Sequence, residues 1–275
     1  TDYVIKGEGE YTFCMLCDFI IKGKGTLSDI SGLSYKNEKG EIISNKIGNR
    51  IIQLDSLPFP DRSIINVEKY LLPYTICTSR GCPGECIFCS SKAFWGKRVI
   101  MRSAQNVFDE VMYLHEKHGT NIFYISDDTF TASKKRCLEF CNMIKQSGIN
   151  FIWACESRAD VVNEEFIKIL YESGCHKIQF GFESADNDIL KKLKKNVTIE
   201  QIENAVKCAA KYGMHIQASY IVGHAFDTEE TVNKTLKFAK YLRDSYGARV
   251  VCSVNTPFPG TEQYEKREEL GINIM

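Results

Sequence analysis

From Tyr74 onward the chain alternates short apolar runs with stretches of helical period, six times over, and few folds accommodate that order. Strand-like runs lie at 74–78, 121–125, 151–155, 177–182, 215–222 and 249–254. Helical stretches follow the first five, at 104–118, 134–147, 163–173, 199–212 and 229–246. Strands and helices in such a series predict an α/β fold, a parallel sheet joined by right-handed crossovers. Six units rather than eight predict a partial (β/α)6 TIM-type barrel. Thr198, ahead of Glu200 and Gln201, reads as an N-cap, and Gly148, Gly174 and Gly213 close the helices before them. In barrels of this type the chemistry collects on the loops at the C-terminal ends of the strands, and that rule sorts the polar motifs.

With 275 residues, 44% of them hydrophobic, the chain can bury a large core. Lys plus Arg and Asp plus Glu both number 35, so there is no net charge to favour a long nucleic-acid or anionic-membrane surface. No apolar run is long enough to span a bilayer and no signal-peptide pattern opens the chain. Six of the 12 cysteines, Cys137, Cys141, Cys155, Cys175, Cys208 and Cys252, stand alone in apolar stretches. They read as small buried hydrophobes in a reducing cytoplasm. The chain begins at Thr1 without an initiator Met and stops at Met275 soon after a new helical stretch opens, so it reads as a piece of a longer protein.

Residues 1–25 read as the last strand, turn and helix of another domain, with the turn at Gly7-Glu8-Gly9-Glu10 and the helix over 11–21. Residues 26–70 read as a linker with a hairpin around Glu38-Lys39-Gly40, stiffened at Pro58-Phe59-Pro60. Cys14 and Cys17 fall in the first helix, where, with no second pair, packing is the favoured reading.

The sharpest local signal is Cys82-Pro-Gly-Glu-Cys86-Ile-Phe-Cys89, directly after the first barrel strand. At the chain's own cysteine frequency this spacing is expected by chance only about 0.02 times. Gly81, Pro83 and Gly84 permit the irregular backbone that wraps a compact metal site; the competing reading is a buried stripe on one helical face. Structural zinc and ordinary ferredoxin clusters take four ligands. Three neighbouring thiols leave one corner open, as a catalytic site requires. Cys77, on the preceding strand, reads as core rather than as a fourth ligand.

With these residues the stretch from about 70 to the end resembles the radical S-adenosylmethionine (SAM) superfamily. The resemblance implies a [4Fe–4S] cluster on Cys82, Cys86 and Cys89, SAM bound on its open iron, and a 5′-deoxyadenosyl radical formed by reductive cleavage. It implies that Phe88 packs near the adenine. It also gives Ser126, Asp127 and Asp128, at the second strand end, to the SAM amino group, with helix capping as the competing role for either aspartate. Arg158 is implied to pair with the SAM carboxylate, an ion pair with Asp160 being the alternative. Glu183 and Ser184 are implied to line the ribose or methionyl side, and Ile221 and Gly223 the adenine side. His224-Ala-Phe-Asp227 departs from the family's usual turn, which leaves His224 open between substrate and packing roles. No side chain is assigned a catalytic role.

Pro257-Phe258-Pro259-Gly260-Thr261 is similar to the loop after the sixth strand in the subgroup of methylthiotransferases, the Elongator catalytic subunit and cobalamin-dependent enzymes. The Gly7-to-Glu10 turn and the segment 57–62 resemble the junction between a cobalamin-binding Rossmann-like domain and the radical SAM core, here 71–275 and C-terminally truncated. Cobalamin is thereby implied as a third cofactor, and C-methylation of an unactivated carbon as the reaction. The alternatives are a cobalamin-dependent cyclase or rearrangement enzyme, methylthiotransferase-like RNA modification, and a non-catalytic iron–sulfur electron-transfer module. Expected partners are a small-molecule or peptide substrate and a one-electron donor such as flavodoxin or ferredoxin, with neither membrane nor nucleic acid.

Overall fold

The computed structural model describes residues 1–273; the last two residues of the expected core lie outside the described residues. Internal contacts divide the chain into residues 1–54 and the chain from Asp55 on. The stretch read as a linker is therefore split between the two units.

In the first unit, β1 (Tyr3–Ile5), β2 (Leu33–Lys36) and β3 (Ile42–Ser44) form an antiparallel sheet in that order, with α1 (Glu10–Lys22) after β1. Leu16, Ile30 and Leu33 form its small core. The hairpin expected around residue 39 joins β2 to β3: the Asn37 carboxamide oxygen accepts the Lys39 and Glu41 amides, and Gly40 has φ +79°. Gly7 sits at φ +84°, where a side chain is strained, whereas Gly9 caps α1 at φ −91° and needs no such freedom. Cys14 is exposed and Cys17 half-buried, so packing does not account for Cys14.

The second unit carries a six-stranded sheet of β4 (Thr75–Ile76), β7 (Ile122–Ile125), β8 (Ile152–Ser157), β9 (Cys175–Glu183), β10 (His215–Val222) and β11 (Arg249–Val254). All neighbours are parallel and the strands lie side by side in chain order. Between β4 and β7 come the short pair β5 (Ser79–Arg80) and β6 (Ile100–Met101), α2 (Ser91–Trp95) and α3 (Ala104–His118). The later crossovers carry α4 (Lys134–Gln146), α5 (Glu164–Glu172), α6 (Asn187–Lys192) with α7 (Ile199–Lys211), and α8 (Glu229–Tyr246); α9 (Glu262–Glu265) follows β11.

Alternation along the strands separates two faces. Phe123, Ile125, Trp153, Cys155, Ile178, Phe180, Phe182, Ile216 and Ala218 are buried with the helices in one core. There Phe123 stacks on Trp153, and Phe130 and Phe140 meet that ring edge-on. Residues of opposite parity, among them Tyr124, Glu156, Gln179 and Gln217, are only half-buried and carry hydrogen bonds of their own: Tyr124 donates to Glu156 (2.8 Å) and Gln217 to Gln179 (2.7 Å).

Five of the six isolated cysteines are buried as expected, but Cys252 is exposed because β11 is an edge strand. Cys77 is exposed just past β4, not core. Among the described residues no helix is long and apolar enough to cross a membrane.

Candidate metal centre

The three thiols sit on an irregular segment between β5 and α2, at the C-terminal end of the sheet; helix begins only at Ser91, so the helical-stripe reading falls. Backbone amides turn toward sulfur: Gly84 donates to Cys82 Sγ (3.3 Å) and Ser91 to Cys89 Sγ (3.5 Å). A Cβ on Gly84 would stand 3.4 Å from Cys82 Sγ, 3.8 Å from Cys86 Sγ and 3.1 Å from Arg158 Nη1, so glycine keeps the space between two thiols and a guanidinium clear. The loop is held at Ile87, whose amide donates to the Leu193 carbonyl (3.1 Å) and whose carbonyl accepts from Gln263 (3.0 Å).

Burial pushes the Cys86 thiol up, against the pull of Lys195 and Arg158. Cys89 is pushed up as well, chiefly by burial, and Ser91's amide opposes it. Lys195 belongs to none of the sequence motifs. It is 8% exposed and pairs with Glu183 at 2.9 Å, itself 6% exposed. Burial works against its ammonium, but Glu183 and Cys86 outweigh that, so its pKa lies above the usual lysine value. Lys194 and Asn196, at φ +55° and +52°, make the turn that folds it inward. A polar Lys-Lys pair gives no sequence signal for such burial.

Glu183 itself has φ +69°, beside an irregularity in the β9–β10 ladder at Ser219 and Tyr220. Bulged, left-handed backbone re-aims a side chain at a strand end. Gly181 completes the arrangement: a Cβ there would lie 2.6 Å from Glu183 Oε1 and 3.2 Å from Lys195 Nζ.

The other expected site residues divide. Asp128 is exposed and accepts from Ser91 Oγ (2.6 Å); Ser126, also exposed, extends the β4–β7 ladder through its amide. Arg158 forks onto Asp160 through two 2.9 Å bonds and donates to the Lys195 carbonyl (2.7 Å), so the ion-pair alternative is realised while Nη1 points toward Gly84 and the thiols. Phe88 is half-buried, and Ile221 and exposed Gly223 end β10.

Two of the expected residues are engaged within the fold itself. Asp127 is 2% exposed and accepts from the Thr78 amide (2.6 Å) and hydroxyl, the Ser79 amide (3.0 Å) and hydroxyl (2.7 Å), and Arg136. Its carboxylate has no capacity left for a ligand ammonium. Ser184 is 1% exposed, lies against Thr235 of α8 and accepts the Asp186 amide, so it fixes a turn.

Among the described residues no three His, Cys, Asp or Glu are gathered to hold a single metal ion. A cluster in which each thiolate meets its own iron sets no such requirement. The donor set fits that group: three sulfurs, amides aimed at two of them, and two buried cations beside them.

Residues 76–239 match the model of the radical SAM superfamily. The chain is 40% identical over 268 residues to an uncharacterized methyltransferase of Pyrococcus horikoshii, a match covering 96% of this chain and 57% of that protein. It is 30% identical over 260 residues to cytidylyl-2-hydroxyethylphosphonate methyltransferase of Streptomyces wedmorensis, covering 81% and 48%. The chain thus spans about half the length of these curated relatives. In fold it resembles the radical SAM methyltransferase TsrM from Kitasatospora setae, solved with cobalamin and a [4Fe–4S] cluster, at a TM-score of 0.76 and 20% identity, covering 98% and 54%.

Proposed function

The chain belongs to the radical SAM superfamily, and we propose that it is the cluster-binding part of a cobalamin-dependent enzyme that methylates an unactivated carbon. The observation that carries the reading is the site's charge pattern. An open, three-thiol loop stands beside an exposed carboxylate, Asp128, and two buried cations, Arg158 and Lys195. The methionyl end of SAM is a zwitterion with one ammonium and one carboxylate, and the pattern complements it.

In this reading Cys82, Cys86 and Cys89 would hold the cluster, which when reduced would supply the electron for cleavage of a sulfur–carbon bond of SAM. Asp128 and Ser126 take the ammonium. Arg158 Nη1 faces the carboxylate, while Asp160 and the Lys195 carbonyl fix its plane. Glu183 restrains Lys195, and Phe88, Ile221 and Gly223 shape the nucleoside side. The half-buried polar face with Tyr124, Glu156, Gln179 and Gln217 is offered to substrate. Burial raises the Glu156 pKa while the Tyr124 hydroxyl pulls it back.

The sheet is read as a six-unit partial barrel, and the first unit as the end of a Rossmann-like domain. Tyr11, Phe13, Met15, Ile20 and Ile21 leave an apolar surface on α1 that such a domain would cover. Cobalamin, the methyl carrier in this reading, is supported by the TsrM likeness in fold and by the methyltransferase relatives. The substrate is a small molecule or peptide, the electron comes from a flavodoxin or ferredoxin, and the compartment is the reducing cytoplasm.

The test is anaerobic reconstitution with iron and sulfide, followed by dithionite, SAM and cobalamin. Formation of 5′-deoxyadenosine is expected; Cys86→Ala should lose the iron that Cys208→Ala retains. Equal iron in both variants, or a tetrahedral zinc on these thiols, would refute the assignment.

A further inference from the structure

His224 is held in a way the ligand-free fold does not repay. Its side chain sits in a residue 3% exposed, and neither ring nitrogen has a hydrogen-bond partner. Buried polar groups are ordinarily satisfied, and an unpaired donor and acceptor together are costly. An apolar ring would fill the same space at less cost. The main chain at this position is pinned. Its amide donates to Asp227 Oδ2 (2.9 Å), its carbonyl accepts the Asp227 amide (2.9 Å), and Asp227 Oδ1 accepts from Thr231 in the first turn of α8.

The place matters as much as the deficit. The imidazole packs on Phe88, ring centroids 5.4 Å apart and tilted by 52°, and Phe88 immediately precedes the ligand Cys89. Phe88 is half-buried and, with Phe226, borders the small cluster of Ile87, Ile189 and Leu193. Of the charged groups near the ring, Asp227 and Glu183 favour protonation, but burial outweighs them and keeps the imidazole neutral. A neutral ring offers one N–H donor and one lone pair, and adds no positive charge to repel a sulfonium.

We propose that His224 is a positioning residue for SAM that hydrogen-bonds its adenosyl moiety, a contact that satisfies the imidazole only when the nucleoside is bound beside Phe88. The inference rests on the three-thiol cluster reading. It makes His224 a determinant of nucleoside affinity rather than of cluster assembly or of methionyl chelation.

The experiment compares wild type, His224→Phe and His224→Gln as reconstituted full chains. Iron content, affinity for SAM, affinity for methionine and the melting temperature of the ligand-free protein are measured. Methionine carries the chelating amino and carboxylate groups without the nucleoside. Phenylalanine should leave iron and methionine affinity unchanged, weaken SAM about 5–10-fold and raise the ligand-free melting temperature, since the unpaired polar atoms are gone. Glutamine, which restores a donor and an acceptor, should recover part of the SAM affinity.

Unchanged SAM affinity in His224→Phe would overturn the proposal. Equal weakening of SAM and methionine with a lower melting temperature would also do so, because the ring would then be packing only. A wild-type protein that assembles no cluster would instead sink the underlying reading, which separates the two failures.

Discussion

Asp127 and Asp128 are adjacent, chemically identical, and opposite in what they do. Every acceptor position of Asp127 is filled by Thr78, Ser79 and Arg136, so it ties the entry of the cysteine loop to the end of β7. Asp128 is exposed, with Ser91 on one oxygen. Asp127→Asn would set an NH₂ against donors and leave Arg136 underpaired, and should cost about 3 kcal/mol in denaturant unfolding. Asp128→Asn should stay within about 0.5 kcal/mol while weakening SAM binding in equilibrium dialysis. Equal stability of the two variants would contradict the division. The sequence assigns both aspartates alike to the SAM amino group, although parity continued past β7 sets 127 on the buried face of Phe123 and Ile125. Lys195 was not legible, since only the turn through Lys194 and Asn196 buries it. The Gly181 requirement follows from the same hidden pair. Gly181→Ala should displace it and lower the melting temperature by the few degrees that about 1–3 kcal/mol represents in a chain of this size.

At the scale of elements, the long helices matched their sequence pattern because period, cap and stop agreed. Both α3 and α8 run over the residues expected, and α7 opens with the capping box of Thr198 and Gln201. Thr198→Ala should cost about 1 kcal/mol, read as a lower unfolding midpoint with an unchanged denaturant slope; no shift would mean the box contributes nothing. Elements governed by tertiary bonds depart from the sequence pattern. Only Thr75–Ile76 of the expected 74–78 is strand, because the amides of Thr78 and Ser79 bond to Asp127 instead of to a ladder. Six-residue α6 escaped notice because it is too short to show a period; Asp186 caps it through the Asp188 and Ile189 amides. The irregularity between β9 and β10 has no local signature either. It arises where Glu183 turns toward Lys195, so the strand's geometry follows from the site.

At the scale of the whole second unit, the decisive question is how the outer edge of β4 is closed. The carbonyls of Tyr74 and Ile76 accept from the Tyr124 and Ser126 amides at 3.0 Å, so those of Thr75 and Cys77 point away from the sheet. An unpaired edge is a liability, and two arginines resolve it here: Arg62 donates to Thr75 (2.7 Å) and Arg102 to Cys77 (3.0 Å), while Arg136 donates to the Thr78 carbonyl beyond the strand (2.8 Å). Such buried cations need anions, and Glu110, 1% exposed, pairs with Arg62 at 3.0 Å and Arg102 at 2.5 Å, as Asp127 does with Arg136. The segment after Asp55 thus acts as a clamp rather than a tether, holding through Arg62 the strand that leads into the cysteine loop. Glu110→Ala would leave the buried Arg62 and half-buried Arg102 guanidiniums short of an anion. It should cost about 3–5 kcal/mol and should also reduce iron retained after reconstitution, although Glu110 belongs to α3 and not to the loop. Both losses should appear together, in urea unfolding and in iron analysis of the same preparation. Lost stability with full iron retention would show that the cysteine loop keeps its shape without the clamp, and would confine the arginines to closing the sheet edge.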